Sequence, residues 1–82
     1  MENRKLTRKE YLLCEVLSTG FIARDRFKRL HYFVNKPIRN KGDWYGGDGL
    51  ELRPTIFPSF DFISWEDEPI KVEDLLEIDW ES

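Results

Sequence analysis

Helix-boundary signals near the start of the chain are the strongest local constraint on the fold. Thr7 and Glu10 have the spacing of a capping box, in which each side chain accepts a hydrogen bond from the other residue's backbone amide. Gly20 suits the far end of such a helix, because glycine adopts a left-handed backbone conformation without strain. We therefore expect a helix over residues 8–18. Helical periodicity predicts a core-facing stripe, with Cys14 at its border, made of Leu6, Leu12, Leu13, Val16 and Leu17.

The chain after this helix favours β-structure. Residues 21–24 and 30–34 are rich in aromatic and branched side chains and flank a short polar turn, which is typical of a hairpin. Residues 50–52 and the apolar segment 59–65 predict two further strands. Residues 40–49 contain four of the five glycines and predict a loop around a tryptophan and a tyrosine.

These elements predict a single α+β domain over residues 1–82. One N-terminal helix is expected to pack on a small, mainly antiparallel sheet of three or four strands within residues 21–65. An acidic C-terminal tail is expected to follow over 66–82, with one helical turn at 72–78. Because one short helix cannot cover both faces of a sheet, four aromatic residues are expected to cover the rest or to stay exposed: Trp44, Tyr45, Trp65 and Trp80.

Nothing in the chain predicts membrane insertion or export. No apolar run approaches the roughly 20 residues that span a bilayer, and the first residues are polar rather than an apolar signal core. The single cysteine, Cys14, cannot form an internal disulfide and fits a reducing compartment. We expect a cytoplasmic protein.

Charge divides the chain into two opposite halves. Residues 1–42 carry eleven Lys and Arg against four Asp and Glu, a net charge of +7, whereas residues 43–82 carry two against twelve, a net charge of −10. Such asymmetry favours a charged partner. The two halves can instead pair within one molecule, or between copies of the chain, so both a monomer and a homodimer are open.

The basic half offers a candidate nucleic-acid site at the tip of the predicted hairpin. Its cationic residues are Arg24, Arg26, Lys28 and Arg29, and the aromatic run 31–33 follows them. Charge beside aromatic rings is typical of surfaces on which bases stack. Hairpin tips are also commonly charged for solubility alone, and the acidic half would repel a phosphate backbone.

The acidic half offers a candidate site for a protein partner. The expected contact residues are three consecutive acids and three aromatics: Glu66, Asp67, Glu68, Trp44, Tyr45 and Trp65. Electrostatic complementarity of this kind speeds association and selects partners. An ordinary solvated acidic tail is the alternative reading.

Catalytic and metal-binding residue types are scarce. One histidine and one cysteine cannot build a zinc site without several carboxylates, and Cys14 falls beside core positions, where cysteine behaves as a small apolar residue. Adjacent acids such as Glu66 and Asp67 point in different directions, so they form no convergent acid–base pair. We expect no enzyme activity, no metal and no cofactor.

Five short pieces of the chain together resemble a known kind of protein. They are residues 21–25 (Phe-Ile-Ala-Arg-Asp), 30–32 (Leu-His-Tyr), 35–37 (Asn-Lys-Pro), Trp44, and 62–70, which contains Trp-Glu-Asp-Glu-Pro. This pattern resembles small uncharacterised proteins of phages and prophages of low-GC Gram-positive bacteria. The resemblance spans roughly residues 7–76, and that family has no assigned activity.

The resemblance implies an accessory phage gene product made in the cytoplasm of the host cell. Together with the charge split and the aromatic content, it predicts a non-enzymatic protein that binds a host or phage protein, with inhibition as one mode of action. The alternative is a nucleic-acid-binding regulator that uses the basic hairpin 24–29.

Overall fold

A computed structural model describes residues 6–47 and 49–78, and its secondary structure is α+β, as the sequence predicts. Helix α1 comes first and a short helix α2 last, with six strands between them. In chain order the elements are α1 (Arg8–Leu17), β1 (Phe21–Arg24), β2 (Leu30–Phe33), β3 (Ile38–Asn40), β4 (Asp43–Tyr45), β5 (Leu50–Glu51), β6 (Ile70–Lys71) and α2 (Val72–Leu75).

Four strands form an antiparallel sheet in the order β5-β2-β1-β6, which confirms the predicted sheet. The central hairpin pairs Phe21 with Phe33 and Arg24 with Leu30, so the predicted strands and turn are correct within one residue. Side chains alternate between the two faces of the sheet. One face, which includes Ile22 and Leu30, joins the buried core shared with α1.

Helix α1 confirms the predicted capping box. The Thr7 amide donates to Glu10 Oε1 at 2.9 Å, and Thr7 Oγ1 accepts from the Glu10 amide at 3.2 Å. The helix ends at Ser18, which has a positive φ of 61°, and Gly20 also has a positive φ, of 111°. Gly20 is needed for a second reason, since a Cβ there would lie 2.5 Å from Tyr32 Oη.

The predicted core-facing stripe of α1 is wrong in part. Leu12 and Val16 are exposed, whereas Cys14 and Glu10 are buried. The reason is the Glu10 carboxylate, whose second oxygen, Oε2, accepts a hydrogen bond from the buried Phe60 amide at 2.7 Å. This contact turns the Glu10 side of the helix inward, and Leu12 and Val16 lie on the opposite side of the helical wheel.

The prediction of a strand at residues 59–65 is also wrong. The chain there runs in turns, and Phe60 has a positive φ of 47° that breaks an extended conformation. Its apolar side chains are nevertheless in the core, with Phe60 and Ile63 both buried. The backbone groups of this segment bond to side chains from α1 and β1 rather than to a neighbouring strand.

A second hairpin lies where the sequence predicted a loop. Strands β3 and β4 pair as a separate two-stranded sheet within residues 38–45. Trp44 is half-buried, and its Nε1 donates to Arg24 O at 2.8 Å, which ties this hairpin to the end of β1. Gly46 and Gly49 lie directly against the buried Phe33 ring, since a Cβ on either would come within 2.8 Å of a ring carbon.

The acidic tail predicted from residue 66 onward is wrong for residues 70–75. Ile70 pairs with Ile22 at the edge of the sheet, and Val72 and Leu75 are buried in the core. The helical turn predicted at 72–78 is present in shorter form as α2. Trp80 lies outside the described residues.

The link between Glu10 and Phe60 yields a test of this packing. Glu10→Ala removes one half of the capping box and leaves the buried Phe60 amide without its acceptor. We expect the free energy of unfolding to fall by about 2–3 kcal/mol, as for a lost hydrogen bond to a charged group. Urea unfolding followed by circular dichroism measures it. The exposed Glu15→Ala on the same helix should change stability by under about 0.5 kcal/mol; equal losses in both variants would contradict the assigned role.

Candidate partner-binding surface

Arg24, at the end of β1, donates hydrogen bonds to four backbone carbonyl oxygens. Its Nε donates to Ile63 O at 2.7 Å and its Nη1 to Lys28 O at 2.9 Å. Its Nη2 donates to the carbonyls of Ser59 and Phe60. A guanidinium carries five N–H donors in a fixed fork, which suits such multiple contacts. The arginine predicted as a phosphate ligand therefore uses its donors within the fold.

Asp25 organises the turn between β1 and β2 from the inside. It is buried, its Oδ1 accepts from the amides of Phe27 and Arg29, and its Oδ2 lies 3.0 Å from His31 Nε2. Burial raises the pKa of Asp25, but the hydrogen bonds from His31, Arg29 and Phe27 together outweigh it and hold that pKa below its ordinary value. Sequence reasoning treated this aspartate only as part of a polar turn, although aspartate at a turn start commonly accepts from the amide two residues on.

The exposed residues of this turn form a basic tip, defined as Arg26, Phe27, Lys28, Arg29 and Lys41. The Arg26 amide donates to Gly42 O at 2.9 Å, which brings the β3–β4 turn against the β1–β2 turn. Phe27 is 60% exposed, with the Arg26 guanidinium carbon 4.8 Å and that of Arg29 5.9 Å from its ring centroid. Three of the four predicted basic residues thus stay together on the surface.

Arg39 joins the hairpin to the acidic half of the chain. Its guanidinium carbon lies 4.4 Å from the Trp44 ring centroid. From there, Nη1 donates to Trp65 O at 2.9 Å and Nη2 to Asp67 O at 2.8 Å. The stack and the two hydrogen bonds hold residues 65–68, here called the acidic segment, against the β3–β4 hairpin. The sequence contains no local signal for these contacts, because Trp65 and Asp67 lie 26 and 28 residues after Arg39 in the chain.

The acidic segment itself is a tight turn. Asp67 Oδ2 accepts from the Ser64 amide at 2.8 Å, and the Asp67 amide donates to Ser64 O at 3.1 Å. Asp67 therefore shapes the turn, while Glu66 and Glu68 are exposed. Trp65 is 39% exposed between them and the body of the protein. Of the three acids predicted to contact a partner, two are free to do so.

The outer face of the β3–β4 hairpin carries two exposed apolar side chains. Ile38 and Tyr45 are paired in register and therefore point to the same side, opposite to Arg39 and Trp44. Ile38 is 73% and Tyr45 56% exposed. Paired exposed apolar side chains beside charged residues are typical of protein contact surfaces.

Little of the charge split is neutralised by direct ion pairs. Within residues 6–47 and 49–78, only Asp25 and His31 lie at ion-pair distance; this contact is an ion pair only when the histidine is protonated, and it lies inside the basic half. Opposite charges instead face shared clefts without pairing. One such cleft, of about 580 Å³, adjoins the acidic segment and is lined by Phe21, Lys36, Asp67, Glu68, Pro69, Ile70, Lys71 and Asp74.

A second cleft, of about 290 Å³, is lined by Arg24, Lys28, Asp61, Ile63, Ser64 and Trp65. Trp65 therefore belongs to the acidic segment and also borders a cleft that two cationic residues of the basic half share.

The reactive residue types lie apart. Cys14 is buried in the core, where burial and the nearby Glu10 charge raise the pKa of its thiol to about 11. His31 follows Leu30 along β2, so it points to the other face of the sheet and bonds to Asp25. In the described part of the chain, no group of three His, Cys, Asp or Glu residues could hold a metal ion.

Comparisons with known proteins leave the chain without an assigned relative. No family model matches it, and neither a curated protein nor a solved structure is significantly similar to it. The helices in the described ranges are all too short and too polar to cross a membrane.

The four carbonyl contacts of Arg24 can be tested with a charge-conserving change. In Arg24→Lys a single ammonium cannot reach carbonyls on both sides of the side chain, so we expect the free energy of unfolding to fall by about 2–3 kcal/mol. The matched variant Arg29→Lys changes an exposed residue, so its free energy of unfolding should fall by less than about 0.5 kcal/mol. Chemical denaturation of both variants gives the comparison, and an Arg24→Lys protein as stable as wild type would refute the structural role.

The lowered pKa of Asp25 predicts a pH dependence. Its stabilising contribution is complete above the unfolded-state pKa, about 3.9, and is lost as the pH falls through the lower folded-state value. Asp25→Asn should therefore be less stable than wild type at neutral pH, by about 1–2 kcal/mol. The difference should shrink as the pH falls below about 4. Thermal unfolding at a series of pH values checks this, and a difference that grows in acid would contradict it.

Proposed function

We propose that the protein is a non-enzymatic accessory protein of a phage or prophage that acts by binding a protein of the host or the phage. The origin rests on the sequence resemblance spanning residues 7–76. The mode of action rests on the acidic segment and the neighbouring hairpin. Inhibition of the bound protein is the simplest consequence of such binding for a chain of 82 residues.

The observation that carries this proposal is the anchoring of the acidic segment by Arg39. Two hydrogen bonds to Trp65 O and Asp67 O and the stack on Trp44 fix the backbone of the segment. A surface that is already ordered loses less conformational entropy when a partner binds, and so binds more tightly. The acidic segment exposes Trp65, a residue type that contributes strongly to binding energy at interfaces, and two glutamates, whose charge steers association.

Each exposed part has a distinct role in the proposed contact. Trp65 supplies a large aromatic anchor, a residue type enriched among those that dominate binding energy. Glu66 and Glu68 supply negative charge that selects a basic partner surface and accelerates the encounter. Ile38 and Tyr45 add apolar area on the outer face of the hairpin.

The test is affinity capture from nuclease-treated lysate of a low-GC Gram-positive host, read by mass spectrometry. The double variant Glu66→Lys/Glu68→Lys reverses both exposed acids and spares Asp67, which shapes the turn. Trp65→Ala removes the aromatic anchor. We expect wild type to capture one dominant protein at moderate salt. Each variant should capture at least about tenfold less of that protein, since interface anchors contribute about 1.4 kcal/mol or more.

A matched control separates a specific contact from net charge. Glu73→Lys/Glu77→Lys makes the same charge change at two exposed acids of the C-terminal region and should capture the same protein as wild type. Circular dichroism establishes that each variant is folded. Equal capture by all folded variants, or no protein retained by wild type, would reject the proposal.

A further inference from the structure

We infer that the basic tip is a binding site for single-stranded nucleic acid, in which a base stacks on Phe27 while Arg26, Arg29 and Lys41 contact the phosphates. This inference goes beyond the proposed protein contact, because it concerns a different surface. It also changes the site predicted from sequence by excluding Arg24 and adding Phe27 and Lys41.

The first support is the exposed aromatic ring at the end of a hairpin. Phe27 remains 60% exposed although two guanidinium groups lie within 6 Å of its ring centroid. An exposed ring offers a flat apolar surface that a nucleic-acid base matches in shape. The two guanidinium groups lie over this ring, so a base stacks on the ring area that they leave open or on the outer side of a guanidinium, next to their positive charge.

The second support is the convergence of two turns. The hydrogen bond from the Arg26 amide to Gly42 O brings Lys41 close to the β1–β2 turn, although the two lie on different hairpins. The Arg26 side chain runs directly over Gly42, where a Cβ would lie 2.8 Å from Arg26 Cδ. Cations from both hairpins therefore face the same region of solvent, as a phosphate backbone requires.

The third support is that the charges of the tip are not neutralised by close acids. Asp25, the acid within the turn, is buried and bonded to the Phe27 and Arg29 amides and to His31. Asp61 shares one cleft with Lys28, and Glu51 shares another with Lys28 and Arg29, so Lys28, which borders a cleft with each acid, is the weakest candidate for phosphate contact. Arg26, Arg29 and Lys41 form no ion pair within the described ranges of the chain.

Single strands fit this surface better than duplexes. Stacking on a protein ring requires the face of a base, and in a duplex those faces are covered by neighbouring base pairs. The tip is also built from two short turns, without a helix or long ribbon that would enter a major groove.

The test is fluorescence anisotropy of a labelled oligothymidylate of about 12 nucleotides, within the usual site sizes for single strands. Wild-type protein should bind it at low salt and should bind a duplex of equal length more weakly. Phe27→Ala should weaken binding about tenfold, as expected for the loss of one stacked base. Phe27→Trp should keep the affinity at the wild-type level, because tryptophan also offers a ring for stacking. Quenching of the added indole fluorescence by the oligonucleotide would report stacking directly.

Charge variants locate the phosphate contacts. Arg26→Gln/Arg29→Gln should reduce the slope of log affinity against log salt by about 1.4, or about 0.7 for each lost phosphate contact. Lys36→Gln/Lys71→Gln removes equal charge at the cleft beside the acidic segment and should leave the slope unchanged. A soluble polyglutamate should not displace the oligonucleotide at equal charge concentration.

The inference is overturned by any of four results: no binding at low salt, equal affinity of Phe27→Ala and wild type, duplex binding as tight as single-strand binding, or displacement by polyglutamate. An equal loss of slope in both double variants would also overturn it, because it would assign the effect to net charge. None of these results bears on capture through Glu66 and Glu68, so the two surfaces are tested independently.

Discussion

The guanidinium of Arg24 connects the central hairpin to a long stretch of chain that has no strand partner. Residues 52–69 contain no regular element, yet they place Phe60 and Ile63 in the core. Their carbonyls find donors on one side chain, which satisfies backbone groups that would otherwise be stranded near the interior. The Arg24 carbonyl in turn accepts a hydrogen bond from Trp44, so the same residue also anchors the β3–β4 hairpin.

Local signals predicted the parts of the fold that depend on neighbours in sequence. The capping box placed α1, and the aromatic and branched residues on either side of a polar turn placed the central hairpin. Segment 59–65 looked like a strand because it is apolar, and apolarity records burial without specifying how the backbone is bonded. The burial of Glu10 was missed for a similar reason. Its carboxylate accepts a hydrogen bond from the Phe60 amide, which lies 50 residues further along the chain.

The candidate sites, too, were predictable from sequence only in part. Composition was enough to find an acidic segment and a basic hairpin tip. It could not tell which members bond within the fold, because Arg24 and Arg26 look equivalent in sequence, as do Glu66 and Asp67. Arg24 and Asp67 are engaged by backbone groups, while Arg26 and Glu66 remain exposed. Long-range contacts such as those of Arg39 assemble the surface and have no local signature.

Alternation along the β3–β4 hairpin assigns attachment and display to separate positions. Arg39 and Trp44 fasten the hairpin to the body, and Ile38 and Tyr45 face away from it. Substitutions at positions 38 and 45 therefore change the exposed face of the hairpin without removing the contacts that attach it. Display and attachment are separated within six strand residues.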